Sequence, residues 1–227
     1  MQAIAFTLIP VAAVLIGAVL AVARRPSDAF VSAMQHLAAG VVFGAAAVEI
    51  LPQVMHEASP AATLIGGAIG IAVMLGLKKL EQRSKGPVAM LGAVGIDIFI
   101  DGLVLGLAFV AGAKAGLLLT IALTLEVLFL GLTLVTELGE SVRSKVRIVA
   151  IAGGIALMLP LGAALATPVA LLPPIYVAGF LSFGLMALLY LVTEELLVEA
   201  HEKPDTPLIS SMFFIGFLGL LLIEELL

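Results

Sequence analysis

Apolar residues run along this chain in long blocks with short polar punctuation. This is neither the alternation of a half-buried strand nor the narrow stripe of a soluble amphipathic helix. Eight blocks can be drawn, at 3–23, 30–54, 61–80, 87–112, 115–138, 146–167, 174–200 and 206–226. Each is near the ~20 residues a helix needs to cross a bilayer. The breakers fall between them: Arg25-Pro26-Ser27-Asp28, Ser59-Pro60, Lys85-Gly86-Pro87, Pro173-Pro174 and Lys203-Pro204-Asp205. The pattern predicts an all-α polytopic membrane protein, a single transmembrane domain over residues 1–227, with no soluble domain and no low-complexity stretch.

Composition agrees. The chain is 62% hydrophobic and 12% charged, more apolar surface than a soluble domain of this size can hide. Cysteine is absent, which removes disulfides, thiolate metal sites and cysteine catalysis together. No basic patch fits a nucleic acid. The first block lacks a basic leader and reads as a first span. The formal charge of −5 matters less than its distribution. Loops one, three, five and seven hold Arg24, Arg25, Lys78, Lys79, Arg83, Lys85, Arg143, Lys145, Arg147 and Lys203, while the even loops hold only Lys114. By the positive-inside rule the odd loops are cytoplasmic and both termini are extracytoplasmic.

The polar residues inside the spans carry the candidate chemistry. GIDIFIDGLVLG, Gly95 to Gly106, places Asp97 and Asp101 deep in the fourth block, four apart and therefore on one helix face. Carboxylates at that depth cost several kcal/mol unless they meet a wet cavity, a partner or a cation. The fifth block holds a faded copy, TLEVLFLGL, with Glu126 at the place of Asp97 and Leu130 at that of Asp101. Both read as an acid followed five residues later by Gly-Leu, which predicts two paired helices around a shared polar site. Glycines 95, 102, 106 and 131 suit close helix packing, with added flexibility as the alternative.

Elsewhere, Glu49 precedes Pro52 near the outer end of the second block, where it either joins the site or is solvated at the helix end. His36, at the inner end, reads as a satisfied interfacial histidine. His56-Glu57 reads as a solvated loop, with weak cation capture at the outer mouth as the alternative. The seventh block ends YLVTEELLVEAHE. Its acids are either the wet end of a helix or a face turned to the site. In the second case one of Glu194 and Glu195 faces Asp97 and Asp101, since neighbours point about 100° apart. Glu199 and His201 then line the inner exit. Glu224-Glu225 face outside water.

These segments resemble the ZIP (Zrt/Irt-like) family of divalent-metal transporters. DIFIDGLVLGLAF is similar to the family's HNFPEGLAVGLAF, EVLFLGLTL to HNIPEGLAL, YLVTEELLVEAHE to YVVVEELIPEAHE, and HLAAGVVFGAAAVEILPQ to its AAG…LLPE pattern. The resemblance covers essentially the whole chain. It implies a 3+2+3 arrangement with inverted repeats and a multi-pass location in the cell (inner) membrane. The implied activity is non-enzymatic transport of a divalent ion (Zn, Mn, Fe or Cd) by alternating access, and its implied partners are the lipid bilayer and a homodimer mate. The implied metal residues are Asp97, Asp101, Glu126, Glu194, Glu195, Glu49, Glu199 and His201.

The departures fall on the ligands. Asp97 and Asp101 replace the family's His and Glu, Glu126 replaces a His, and Leu130 replaces an acid. Ile100 and Phe129 stand where the family has helix-breaking prolines, and the long His-rich loop is reduced to LKKLEQRSKG. One metal position persists with changed ligands; the family's second position is dismantled. All-oxygen ligation favours Mn²⁺, Mg²⁺ or Ca²⁺ and weakens the advantage of Zn²⁺. Clustered carboxylates cannot all stay ionised without a cation, so protons compete with metal. The alternatives are a non-transporting cation sensor and a proton channel or exchanger on the same carboxylates. An intramembrane aspartyl protease fits poorly, because both aspartates lie on one helix.

Overall fold

The structure, a computed structural model, describes residues 2–57, 59–83, 86–142, 144–202 and 206–227. Lys85, Arg143 and Lys203 of the basic loops and the side chain of Glu57 lie outside the described residues. Among the described residues there is no strand. Eight helices are long and apolar enough to cross a membrane, which makes this a multi-pass membrane protein. They are span 1 (Gln2–Ala23), span 2 (Asp28–His56), span 3 (Pro60–Leu80), span 4 (Ala89–Ala111), span 5 (Ala113–Val135), span 6 (Lys145–Leu171), span 7 (Pro174–His201) and span 8 (Pro207–Leu226).

Local sequence explains where the helices start and break. Ser27, Ser144 and Thr206 each sit at a helix start and accept a hydrogen bond from the backbone N–H three residues on. Span 1 breaks at Thr7 because Pro10 has no N–H for the Phe6 carbonyl; the Thr7 hydroxyl donates to the Ile4 carbonyl at 2.6 Å. Span 6 breaks at Leu157 for the same reason, ahead of Pro160, and finishes in a 3₁₀ turn at Thr167–Leu171. It therefore runs farther than the 167 that hydropathy gave.

Spans 4 and 5 are uninterrupted α-helices, within Pro87–Ala111 and Ala113–Ser141, as the absence of prolines at Ile100 and Phe129 predicts. The irregular turns lie elsewhere. Span 2 winds into a π-helix at Ala46–Ile50 and span 7 does so at Leu191–Leu196. Each carries an acid, Glu49 in the first and Glu194 and Glu195 in the second. Laid over one another, the two turns also match Leu51 with Leu196, His56 with His201 and Glu57 with Glu202. Single π-turns inside α-helices concentrate at functional sites.

The helices dock in four close pairs: span 1 with span 5, span 2 with span 8, span 3 with span 7, and span 4 with span 6. In lipid no hydrophobic force drives such pairing, so close backbone approach has to supply it. Glycines make the seams. A Cβ on Gly102 would stand 2.0 Å from the Leu159 carbonyl oxygen, and one on Gly40 would stand 1.9 Å from that of Phe213. Gly17 and Gly131 meet the partner backbone in the same way across spans 1 and 5. The glycines of the acid motif are thus packing surfaces, except Gly95, whose nearest neighbours are 4.0 Å away.

Spans 2, 4, 5 and 7 form the centre, where Ile98, Leu105, Leu118, Leu119 and Leu123 are fully buried. Spans 3 and 8 turn Leu64, Ile65, Ile69, Phe214, Leu218 and Leu222 outward, as lipid-facing helices do. Among the described residues, the four central helices carry every buried polar residue except Thr7 of span 1.

Candidate metal centre

Span 4 commits its Gly102–Gly106 side to span 6, and span 5 commits Gly131 to span 1. The face bearing Asp97 and Asp101 is left to meet span 5. There one carboxylate oxygen from each of Asp97, Asp101 and Glu126 comes within 4.8 Å of the other two. Asp101 is 2% exposed and Glu126 5%, while Asp97 is half-buried. The expected pairing of the two motifs is therefore present in space.

No base balances these acids among the described residues. The charged groups acting on them are one another, Glu195 and Glu199. Lys78 is taken by Glu194 at 2.9 Å, and Lys114 by Glu224 at 2.7 Å. Asp101 Oδ2 and Glu126 Oε2 are buried without a hydrogen-bond donor. Buried lone pairs in that position are costly unless a proton or a cation fills the gap. The hydroxyls of Thr120, Thr124, Thr133 and Ser182 do not fill it; each donates to a carbonyl of its own helix.

Span 7 resolves its two neighbouring acids. Glu195 turns inward and lies in hydrogen-bonding contact with Asp97, an arrangement two carboxylates hold only around a proton or a cation. Glu194 turns away to Lys78, with half its side chain exposed. Glu199 accepts a hydrogen bond from Gln35 Nε2 at 2.8 Å. Asp97, Glu126, Thr133, Glu195, Glu199 and Gln35 line a cavity of about 40 Å³. That is enough for an ion or a few waters, since one water needs about 10–15 Å³ on this measure. A wider cavity of about 470 Å³ runs from Asp97 past Glu194 and Glu199 to Glu202. The site is thus reached from the end of span 7. Leu105, Leu118 and Leu119, fully buried farther along spans 4 and 5, pack solidly.

Other candidates fall outside this cluster. Glu49 is half-buried in the π-turn of span 2, and its charged neighbours are Lys114 and Glu224. It is neither a free helix-end acid nor a member of the cluster. Glu224 is engaged in the Lys114 ion pair and does more than face water. His201 is exposed and sits by the ring of His36, and it is not one of the three residues of the carboxylate group. His36 itself departs from the satisfied interfacial histidine expected: it is 1% exposed, and its Nε2 has no partner. Gln35 was not anticipated at all. Its signal was its position beside His36, a second polar residue in an apolar span.

The fold and site define a multi-pass helical membrane protein with a buried, base-free carboxylate cluster at the end of an open cavity. No protein-family model matches the chain, and no curated protein matches its sequence.

Proposed function

We propose that the chain is a ZIP-like divalent-cation transporter that carries a metal ion through the Asp97, Asp101 and Glu126 site by alternating access. The observation that supports it is the convergence of these three carboxylates, from two uninterrupted helices, with buried acceptors and no compensating base. Glu195 supplies a fourth oxygen donor from span 7, and the cavity past Glu199 and Glu202 supplies the path. With both termini extracytoplasmic in the cell (inner) membrane, that cavity opens to the cytoplasm, and this is an inward-facing state.

The helix pairing supports a repeat. Exchanging span 1 with 6, 2 with 7, 3 with 8 and 4 with 5 turns the four close pairs into one another. The same exchange carries one π-turn onto the other. Two blocks of three spans, inverted about spans 4 and 5, have this property. The glycine seams let paired helices move as units around a fixed site.

All-oxygen ligation flattens ion choice, so Mn²⁺ is carried alongside Zn²⁺. The test is uptake into proteoliposomes at fixed pH. Mn²⁺ and Zn²⁺ influx is expected, with Asp97→Ala and Asp101→Ala each removing most of it and the double change adding little. Asp97→His with Glu126→His should shift competition towards Zn²⁺. The Asp97–Glu195 contact also suits a proton channel or exchanger. Proton flux without any divalent ion, and no metal flux, would replace the transporter reading by that one.

A further inference from the structure

Spans 5 and 8 are joined by two residues that their own helices disfavour. Lys114 lies in the first turn of span 5 and Glu224 in the last turn of span 8. A cation at a helix N-terminus and an anion at a C-terminus both oppose the helix dipole, so each residue is misplaced on its own helix. Across space the two misplacements cancel, because Lys114 Nζ meets Glu224 Oε1 at 2.7 Å. Glu49, in the π-turn of span 2, has the same two groups as its charged neighbours. In the register that matches the two π-turns, Glu49 stands where Glu194 stands in span 7, and Glu194 meets Lys78. Each π-turn therefore has an acid with a lysine at its own end of the molecule.

The two lysines differ in what they join. Lys78 and Glu194 link spans 3 and 7, which are already docked on each other. Lys114 and Glu224 link span 5, docked on span 1, to span 8, docked on span 2, and spans 5 and 8 otherwise scarcely touch. Span 5 also carries Glu126, about 18 Å along the helix from Lys114. The order of the crossings puts Lys114 and Glu224 at the end opposite Glu199 and Glu202, where the wide cavity lies. Towards Lys114 the span is sealed, with Ala115, Leu118, Leu119 and Ala122 at most 1% exposed. We propose that the Lys114–Glu224 pair, with Glu49 beside it, is a latch that holds span 5 to spans 8 and 2 and keeps this end of the carboxylate site shut. The inference rests on the alternating access proposed above, in which the shut end must also open. A partly exposed ion pair suits that task, since it biases two states by up to about fivefold and locks neither.

The experiment is labelling of a buried reporter, Ala122→Cys, in a chain with no other cysteine. Ala122 lies one turn from Glu126 on the Lys114 side and on the same helix face. A charged methanethiosulfonate is added to metal-free protein in detergent, and the rate is followed by mass spectrometry. Slow labelling is expected with the native pair, and labelling about two- to fivefold faster in Lys114→Gln and in Glu224→Gln. The exchanged pair, Lys114→Glu with Glu224→Lys, should return the rate to the native one, and Lys78→Gln should leave it unchanged. Circular dichroism melting checks that each variant is folded. The two single variants break the same pair, so either serves if the other does not fold. Equal rates in the native and single variants, an exchanged pair as fast as the singles, or the same rise in Lys78→Gln overturns the latch. The rate is read without metal, so a chain that transports nothing can still show the latch, and a failed latch leaves the metal-uptake test standing.

Discussion

Replacing Asp101 with Asn should leave the metal-free fold intact and abolish its stabilisation by metal. At the 4.8 Å limit of the cluster and an effective dielectric of about 20, two ionised carboxylates repel by about 3.5 kcal/mol. Three ionised together would cost about 10 kcal/mol, comparable to the whole stability of a typical domain at about 5–15 kcal/mol. The native cluster therefore holds protons or a cation. Asp101→Asn removes one charge while keeping the shape, so the metal-free variant should be at least as stable as the native chain. An ion bound only by the folded state at a hundredfold excess over Kd stabilises by about 2.7 kcal/mol. For a chain of this length that is a rise of about 5–11 °C in Tm. The assay is thermal melting in detergent followed by circular dichroism, with and without Mn²⁺. The native protein should show the rise and Asp101→Asn little or none. The rise should shrink as pH falls, because protons compete for the same oxygens. An equal rise in Asp101→Asn, or none in the native chain together with a several-kcal/mol loss in the metal-free variant, would refute the argument and leave Asp101 a structural residue.

Three further outcomes follow from the same structure. Gly102→Val should destabilise by about 1–3 kcal/mol or more, because a Cβ there meets the Leu159 carbonyl at 2.0 Å, whereas Gly95→Ala, with neighbours at 4.0 Å, should be neutral or stabilising in a melting curve. Lys78→Met should change Tm little, since its pair with Glu194 is solvent-exposed and such pairs contribute about 0–1 kcal/mol; a large loss would mean that Glu194 is buried in solution. Ser59→Cys and Ser144→Cys, in a chain without native cysteine, should label from opposite sides of the membrane with an impermeant reagent, and labelling from one side would end the orientation drawn from the basic loops.

The eight helices were legible in the sequence because a bilayer demands about 20 apolar residues per crossing, and helix formation within such a block depends on local bonds alone. The four-residue spacing of Asp97 and Asp101 likewise fixed their shared face, and the missing prolines agree with the unbroken α-helices of spans 4 and 5. Tertiary structure decided what depends on the rotation of one helix against another. It turned Glu195 to Asp97 and Glu194 to Lys78, two neighbours that composition cannot tell apart. It brought His36 to His201 and Gln35 to Glu199 across more than half the chain, contacts with no trace in local spacing. It placed the π-turns in spans 2 and 7, where the helix is rewound to re-aim acids that an ideal α-helix would point elsewhere. Hydropathy reports only whether a segment prefers lipid to water; which face of it meets which neighbour is set by the glycine seams, whose docking surfaces exist only once the helices are side by side.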